Sequence, residues 1–169
     1  GSGNQARTQL ESIAEVYDVK SAAVYSPTKA NREGFAREMS AKLGIAVTAV
    51  ASAEAAATGH EVVVAASSAR SREAVLRGEW LARCRLLCAV GNTRPQYAEA
   101  DVQCFRDAGL VVVDTLHALK EAGDLLEAVK SGRVQLLLSA WHGRRNLVIL
   151  RHADGFLSEV SDVDEILVP

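Results

Sequence analysis

The chain has 169 residues, 49% of them hydrophobic and only 5% aromatic, and its 19 basic and 21 acidic side chains leave a net charge near −2. That length suits one well-packed domain and is short for two. The balanced charge offers no pull toward nucleic acid or a membrane surface, and apolar runs such as residues 110–113 (LVVV) fall far short of the roughly 20 residues that span a bilayer.

Few aromatics and abundant Ala and Val favour helices packed on strands over a β-sandwich. Three cysteines, an odd number, point to reduced thiols and a cytoplasmic setting.

The first residues read GSGNQA and run straight into a helical pattern. Residues 21–25 (SAAVY) then read as a short buried strand. Residues 29–43 form a helix in which Phe35, Met39 and Leu43 recur on one face, and Gly44 ends it. Residues 46–50 (AVTAV) supply the next strand. Residues 52–58 form a short helix with Ser52 as N-cap and Glu54 in its first turn.

Three more apolar runs follow at 61–65 (EVVVA), 86–90 (LLCAV) and 110–113 (LVVV), with helices expected around 97–108 and 116–130. Strands separated by helical stretches of this length predict βαβ units, hence an α/β fold with a parallel sheet covered on both faces. The stretch 146–169 differs in character. Residues 147–150 are a strand candidate, and 158–166 a short helix or crossing segment. The expected division is therefore a domain over 1–145 and a C-terminal segment over 146–169.

The opening Gly1-Ser2-Gly3-Asn4-Gln5-Ala6 has the spacing G-x-G-x-x-A. Read as a nucleotide turn, Gly1 permits the tight bend and Gly3 lets the backbone approach a pyrophosphate. Ala6 allows close helix–strand packing, and the helix start supplies N–H donors and a positive dipole end. Read otherwise, GSG is a flexible, linker-like start; the βαβ pattern behind it favours the first reading.

Where a carboxylate would grip the adenosine ribose, the chain has Ser26, in Tyr25-Ser26-Pro27-Thr28-Lys29. Ser26, Thr28 and Lys29 suit a 2′-phosphate, which favours NADP over NAD. The same residues also make an ordinary helix start, and the two readings are compatible.

With these motifs in hand, the sequence resembles the ornithine cyclodeaminase/μ-crystallin family. GSGNQAR is similar to that family's glycine loop, and VYSPTKANREGFA to its ribose-side strand, turn and helix. Ala89-Val90-Gly91-Asn92-Thr93-Arg94-Pro95 with Glu99 and Asp101 resembles a further family segment, as does Val112-Val113-Asp114 with Glu121-Ala122-Gly123-Asp124-Leu125.

The resemblance implies a Rossmann-like domain from a two-domain protein whose other half binds substrate and forms a homodimer. It implies NADP or NAD as cofactor, held by Gly1, Gly3, Asn4, Gln5 and Ala6 at the pyrophosphate and by Ser26, Thr28 and Lys29 at the ribose. Ser67 and Gly91 would line the nicotinamide side, and Thr93 would face a small amino-acid or cyclic imine substrate as the catalytic candidate. Residues 146–169 would lead back toward the substrate and dimerisation domain. A strand is expected immediately before Gly1, without which the sheet has an unpaired central position.

Two departures bear on function. Cyclodeaminase and alanine dehydrogenase members carry an acid where this chain has Thr93, and a threonine hydroxyl is no general base at neutral pH. The implied chemistry is therefore hydride transfer at an α-imino or α-amino carbon, of ketimine reductase or amino-acid dehydrogenase type. A cyclodeaminase using bound NAD and a non-catalytic, crystallin-like cofactor binder are the alternatives. The arginine usual in the ribose loop is replaced by Pro27, which weakens the case for NADP.

Other features carry less. Cys84 and Cys88 would share a helix face, but without further ligands at suitable spacing they read as packing residues rather than a metal site. His117, just past a strand end, is a lesser cofactor candidate, and His142 with Arg144 and Arg145 reads as a solvated turn. Walker, zinc-hydrolase and G-x-S-x-G patterns are absent from the sequence.

Overall fold

Four short strands run parallel in two pairs. β1 (Ser21–Val24) pairs with β2 (Ala46–Ala49), placing Ser21 opposite Ala46 and Val24 opposite Ala49. β3 (Val62–Ala65) pairs with β4 (Leu86–Ala89), Val62 opposite Leu86 and Ala65 opposite Ala89. The structure, a computed structural model, describes residues 1–92, 94–113, 118–130, 134–137 and 148–152.

The helices alternate with the strands: α1 (Asn4–Val16), α2 (Lys29–Leu43), α3 (Ala53–Ala57), α4 (Val102–Arg106), α5 (Ala118–Glu121) and α6 (Gly123–Lys130). Local chemistry sets several boundaries. α2 ends where Gly44 adopts a left-handed φ of 68°, a conformation that costs residues with a Cβ more. The Ser52 hydroxyl accepts the Ala55 N–H at 3.0 Å, the expected cap of α3.

Asp101 caps α4 by accepting from Cys104 N at 3.1 Å, and it also accepts from Gly78 N at 3.0 Å. That cap explains why α4 is shorter than the helix expected over 97–108. Residues before it are held instead in a turn and in the Leu76–Ala100 bridge.

Alternation along β3 shows that the sheet is covered on both faces. Val64 packs against a cluster built from Ala6 of α1, Phe35 and Met39 of α2, and Val24 and Val47. Its neighbours Val63 and Ala65 point the other way, to Ala57 of α3, Leu76, Ala100 and Cys104 of α4. The helical face read from the sequence is the observed one: Phe35 is 3% and Met39 0% exposed, with Leu43 packed beside them.

β5 (Val111–Val113) departs from the all-parallel expectation. It pairs antiparallel with β7 (Val148–His152), which lies between it and β6 (Val134–Leu137). Helical spacers predict parallel neighbours only for strands joined by a crossover, whereas β5 takes a partner that arrives from beyond β6, running the opposite way. Of the segment 146–169, β7 is the described part. Cys84 and Cys88 do not share a helix, since Cys88 lies in β4 and Cys84 in the turn before it.

No described ladder joins β1 to β3. Between them lies a cavity of about 840 Å³, walled by both strands and by Ala6, Leu10 and Ile13 of α1 and Ala56 and Ala57 of α3. Strand edges and small apolar side chains line it together with charged ones, among them Lys20, Glu61, Arg83, Arg85 and Glu99.

Gly1 lines that cavity, and its backbone nitrogen donates to the Tyr25 carbonyl at 2.7 Å.

Candidate functional site

The glycine turn and the loops after β1, β3 and β4 gather at the carboxyl ends of the parallel strands, where open α/β sheets bind ligands. A Cβ on Gly1 would overlap the Ala66 carbonyl, so the turn is pressed against the end of β3. Gly3 is the N-cap of α1 and has open space where a Cβ would stand. No side chain caps this helix and no acid lies in its first turn, which leaves its first N–H groups directed outward beside the exposed Asn4 and Gln5. Ala6, 8% exposed, packs in the core below.

The turn is braced from both sides. Ser2 Oγ donates to Ser26 Oγ at 2.9 Å, tying it to the loop after β1. Arg7 donates to the Ser2 carbonyl at 2.6 Å, forks onto the Glu38 carboxylate and lies over the Phe35 ring at 5.3 Å. The Glu38 hydrogen bond raises the Arg7 pKa further, and the same bond lowers that of Glu38.

Ser26, Thr28 and Lys29 do share one loop, but they differ in what they offer. Ser26 is buried at 7% exposure, and its hydroxyl is engaged with Ser2 and with the Thr28 carbonyl at 3.4 Å. Thr28 is exposed at the N-cap of α2, with its hydroxyl not used as a cap. Lys29 reaches Glu33 one helical turn on, at 3.7 Å.

On the far side, one carboxylate ties together the two loops expected at the nicotinamide. Glu99, 3% exposed, accepts from Gly91 N at 2.8 Å and from Ser67 N. A Cβ on Gly91 would overlap that carboxylate, so the residue there has to be glycine for the bond to form. Behind it stands Asp124, 5% exposed, which accepts from the backbone N–H of Glu99, Ala100 and Leu125 at 3.4, 3.3 and 3.1 Å. Asn92 donates to Asp124 at 3.2 Å and to the Tyr97 carbonyl at 2.6 Å. Thr93, His117, His142, Arg144 and Arg145 lie outside the described residues.

Sequence reasoning assigned no role of their own to Glu99, Asp124 and Arg32. Asp124 had a local signal, an acid in the first turn of a helix. Glu99 had only its place in the family segment, because its partners lie 32 and 8 residues away. Among the described residues no three His, Cys, Asp or Glu side chains could hold a metal, and no helix is long and apolar enough to cross a membrane. The buried thiol is Cys104, its pKa pushed up to about 12 by burial and then by Asp101.

Comparison with known proteins agrees with this fold. The model of the ornithine cyclodeaminase/mu-crystallin family matches residues 1–150. Ketimine reductase mu-crystallin of Mus musculus is 32% identical over 126 residues, 75% of this chain and 38% of that protein. Delta(1)-pyrroline-2-carboxylate reductase of Bacillus cereus is 29% identical over 133 residues, 78% of this chain and 40% of that protein.

Among solved structures, the Thermococcus litoralis Delta(1)-pyrroline-2-carboxylate reductase in complex with NADH and L-proline superposes with a TM-score of 0.72 at 36% identity. It covers 78% of this chain and 40% of that one. The chain thus spans about two fifths of the length of these relatives.

Proposed function

Because the chain belongs to the ornithine cyclodeaminase/mu-crystallin family, we propose that it is the NAD(P)-binding domain of an oxidoreductase acting at an α-imino or α-amino carbon. The observation that carries this reading is the uncapped start of α1 behind the open Gly3, with no acid in its first turn. Such a helix start fits a pyrophosphate, whose charge its N–H groups and dipole would stabilise. Gly1, Gly3, Asn4, Gln5 and Ala6 form this cradle, and Ser26, Thr28 and Lys29 stand on the ribose side. Ser67 and Gly91 stand on the nicotinamide side, with Thr93 as the proposed substrate-facing hydroxyl.

A bound nicotinamide supplies the hydride. What the chain's own residues contribute is position: Ser2 and Ser26 fix the turn, and Glu99 holds the Ser67 and Gly91 backbones at one distance from each other. The names of the relatives favour a small cyclic or open imine as substrate, in the manner of a ketimine reductase. We place the substrate-selecting and dimer-forming residues in a second domain, toward which the segment 146–169 leads. Three unpaired cysteines suit a reducing, cytoplasmic location.

Titrating NADH and NADPH into the longest natural protein that carries this chain tests the reading. The unaltered protein should bind at least one of them, and Gly3→Asp should abolish binding of both, since it adds a side chain and a negative charge where the pyrophosphate would lie. Undiminished binding by Gly3→Asp, or none by the unaltered protein, would remove the cradle from the site.

A further inference from the structure

The loop after β1 contains no acid between Tyr25 and Lys29, and Pro27 stands where the family resemblance placed an arginine. The structure returns a guanidinium to that loop from another position. Arg32, five residues on and in the second turn of α2, folds back so that Nη1 donates to the Ser26 carbonyl at 2.9 Å and to the Pro27 carbonyl at 3.1 Å. Its guanidinium lies 5.8 Å from the centroid of the Tyr25 ring, which fixes it from a second side.

Two neutral carbonyls orient this cation without cancelling its charge. No carboxylate of a described residue pairs with it, and the nearest acid along the helix, Glu33, is engaged with Lys29. Nε and Nη2 remain as donors, in a fork whose geometry matches a phosphate. Around them stand the exposed Thr28 hydroxyl and the start of a 15-residue helix with no side-chain cap and no acid in its first turn.

We propose that Arg32 is the specificity-determining residue of this site, and that it receives the 2′-phosphate of an NADP-type dinucleotide. This inference rests on the dinucleotide reading of the glycine turn and deepens it. Lys29 stands on the same side but is exposed and shared with Glu33; Arg32, held by the loop it would serve, supplies the charge that discriminates. Loss of the loop arginine at Pro27 is thereby offset from within α2.

The test compares NADPH and NADH titrations for the unaltered protein, Arg32→Gln and Arg32→Lys. The unaltered protein should bind NADPH more tightly than NADH. Arg32→Gln should weaken NADPH by about 10- to 100-fold, the range expected for losing a charge-assisted fork, and leave NADH where it was. Arg32→Lys should fall between, since it keeps the charge and loses the fork.

Retained NADH affinity also shows that the variant is folded. Equal losses for both cofactors would mean that Arg32 only shapes the loop, and would overturn the proposal. So would an unchanged NADPH affinity. Failure of the unaltered protein to bind either cofactor would overturn the glycine-turn reading, and this proposal with it.

Discussion

Replacing Glu99 by alanine is expected to lower the unfolding free energy by about 3–5 kcal/mol, the sum of two backbone N–H groups losing a charged acceptor in a buried place. The groups are those of Ser67 and Gly91, which begin the loops after β3 and β4, and Glu99 itself is 3% exposed. A typical domain has about 5–15 kcal/mol in total, so the variant should lie near the edge of folding.

Glu99→Gln is the sharper probe, because it keeps the shape and one acceptor oxygen but turns an N–H donor toward another donor. Its expected cost is smaller, about 1–3 kcal/mol. Urea unfolding of both variants measures the difference. If both match the unaltered chain, the clamp has no energetic role.

Met39→Ala is expected to cost about 2–5 kcal/mol, through lost burial and the cavity left behind. Met39 is the largest side chain in the described structure with essentially no exposure, and it sits between α2 and the pair β1–β2, among Phe35, Val24 and Val47. Met39→Leu keeps most of the volume and should cost less than about 1.5 kcal/mol. Equal stability for the alanine and leucine variants, read by thermal or urea unfolding, would show that this cluster can collapse around the gap.

Much of the frame was legible because it is local. The β1, β2 and α2 boundaries follow from apolar runs, Phe35-Met39-Leu43 periodicity, and Gly44 as a stop. Ser52 capped its helix as its residue type suggests. The site was legible only in outline. The glycine turn has a local spacing, but the engagement of Ser26 with Ser2 joins residues 24 apart. The Glu99 clamp depends on β3 and β4 already being side by side, and no short window of sequence contains that fact. Helix α4 came out shorter for a similar reason: Asp101 answers to Gly78, 23 residues back, as well as to its own helix.

The cavity between β1 and β3 gives the glycine turn an unusual mechanical position. Gly1 is bonded to the end of β1 through Tyr25 and pressed against the end of β3 at Ala66, so the turn spans a seam between two half-sheets. The width of that seam sets the separation of the two strand ends, and with it the aim of the first N–H groups of α1. On the proposed reading of the turn, seam width and dinucleotide affinity would be linked, and by reciprocity a bound dinucleotide would favour the width that binds it best.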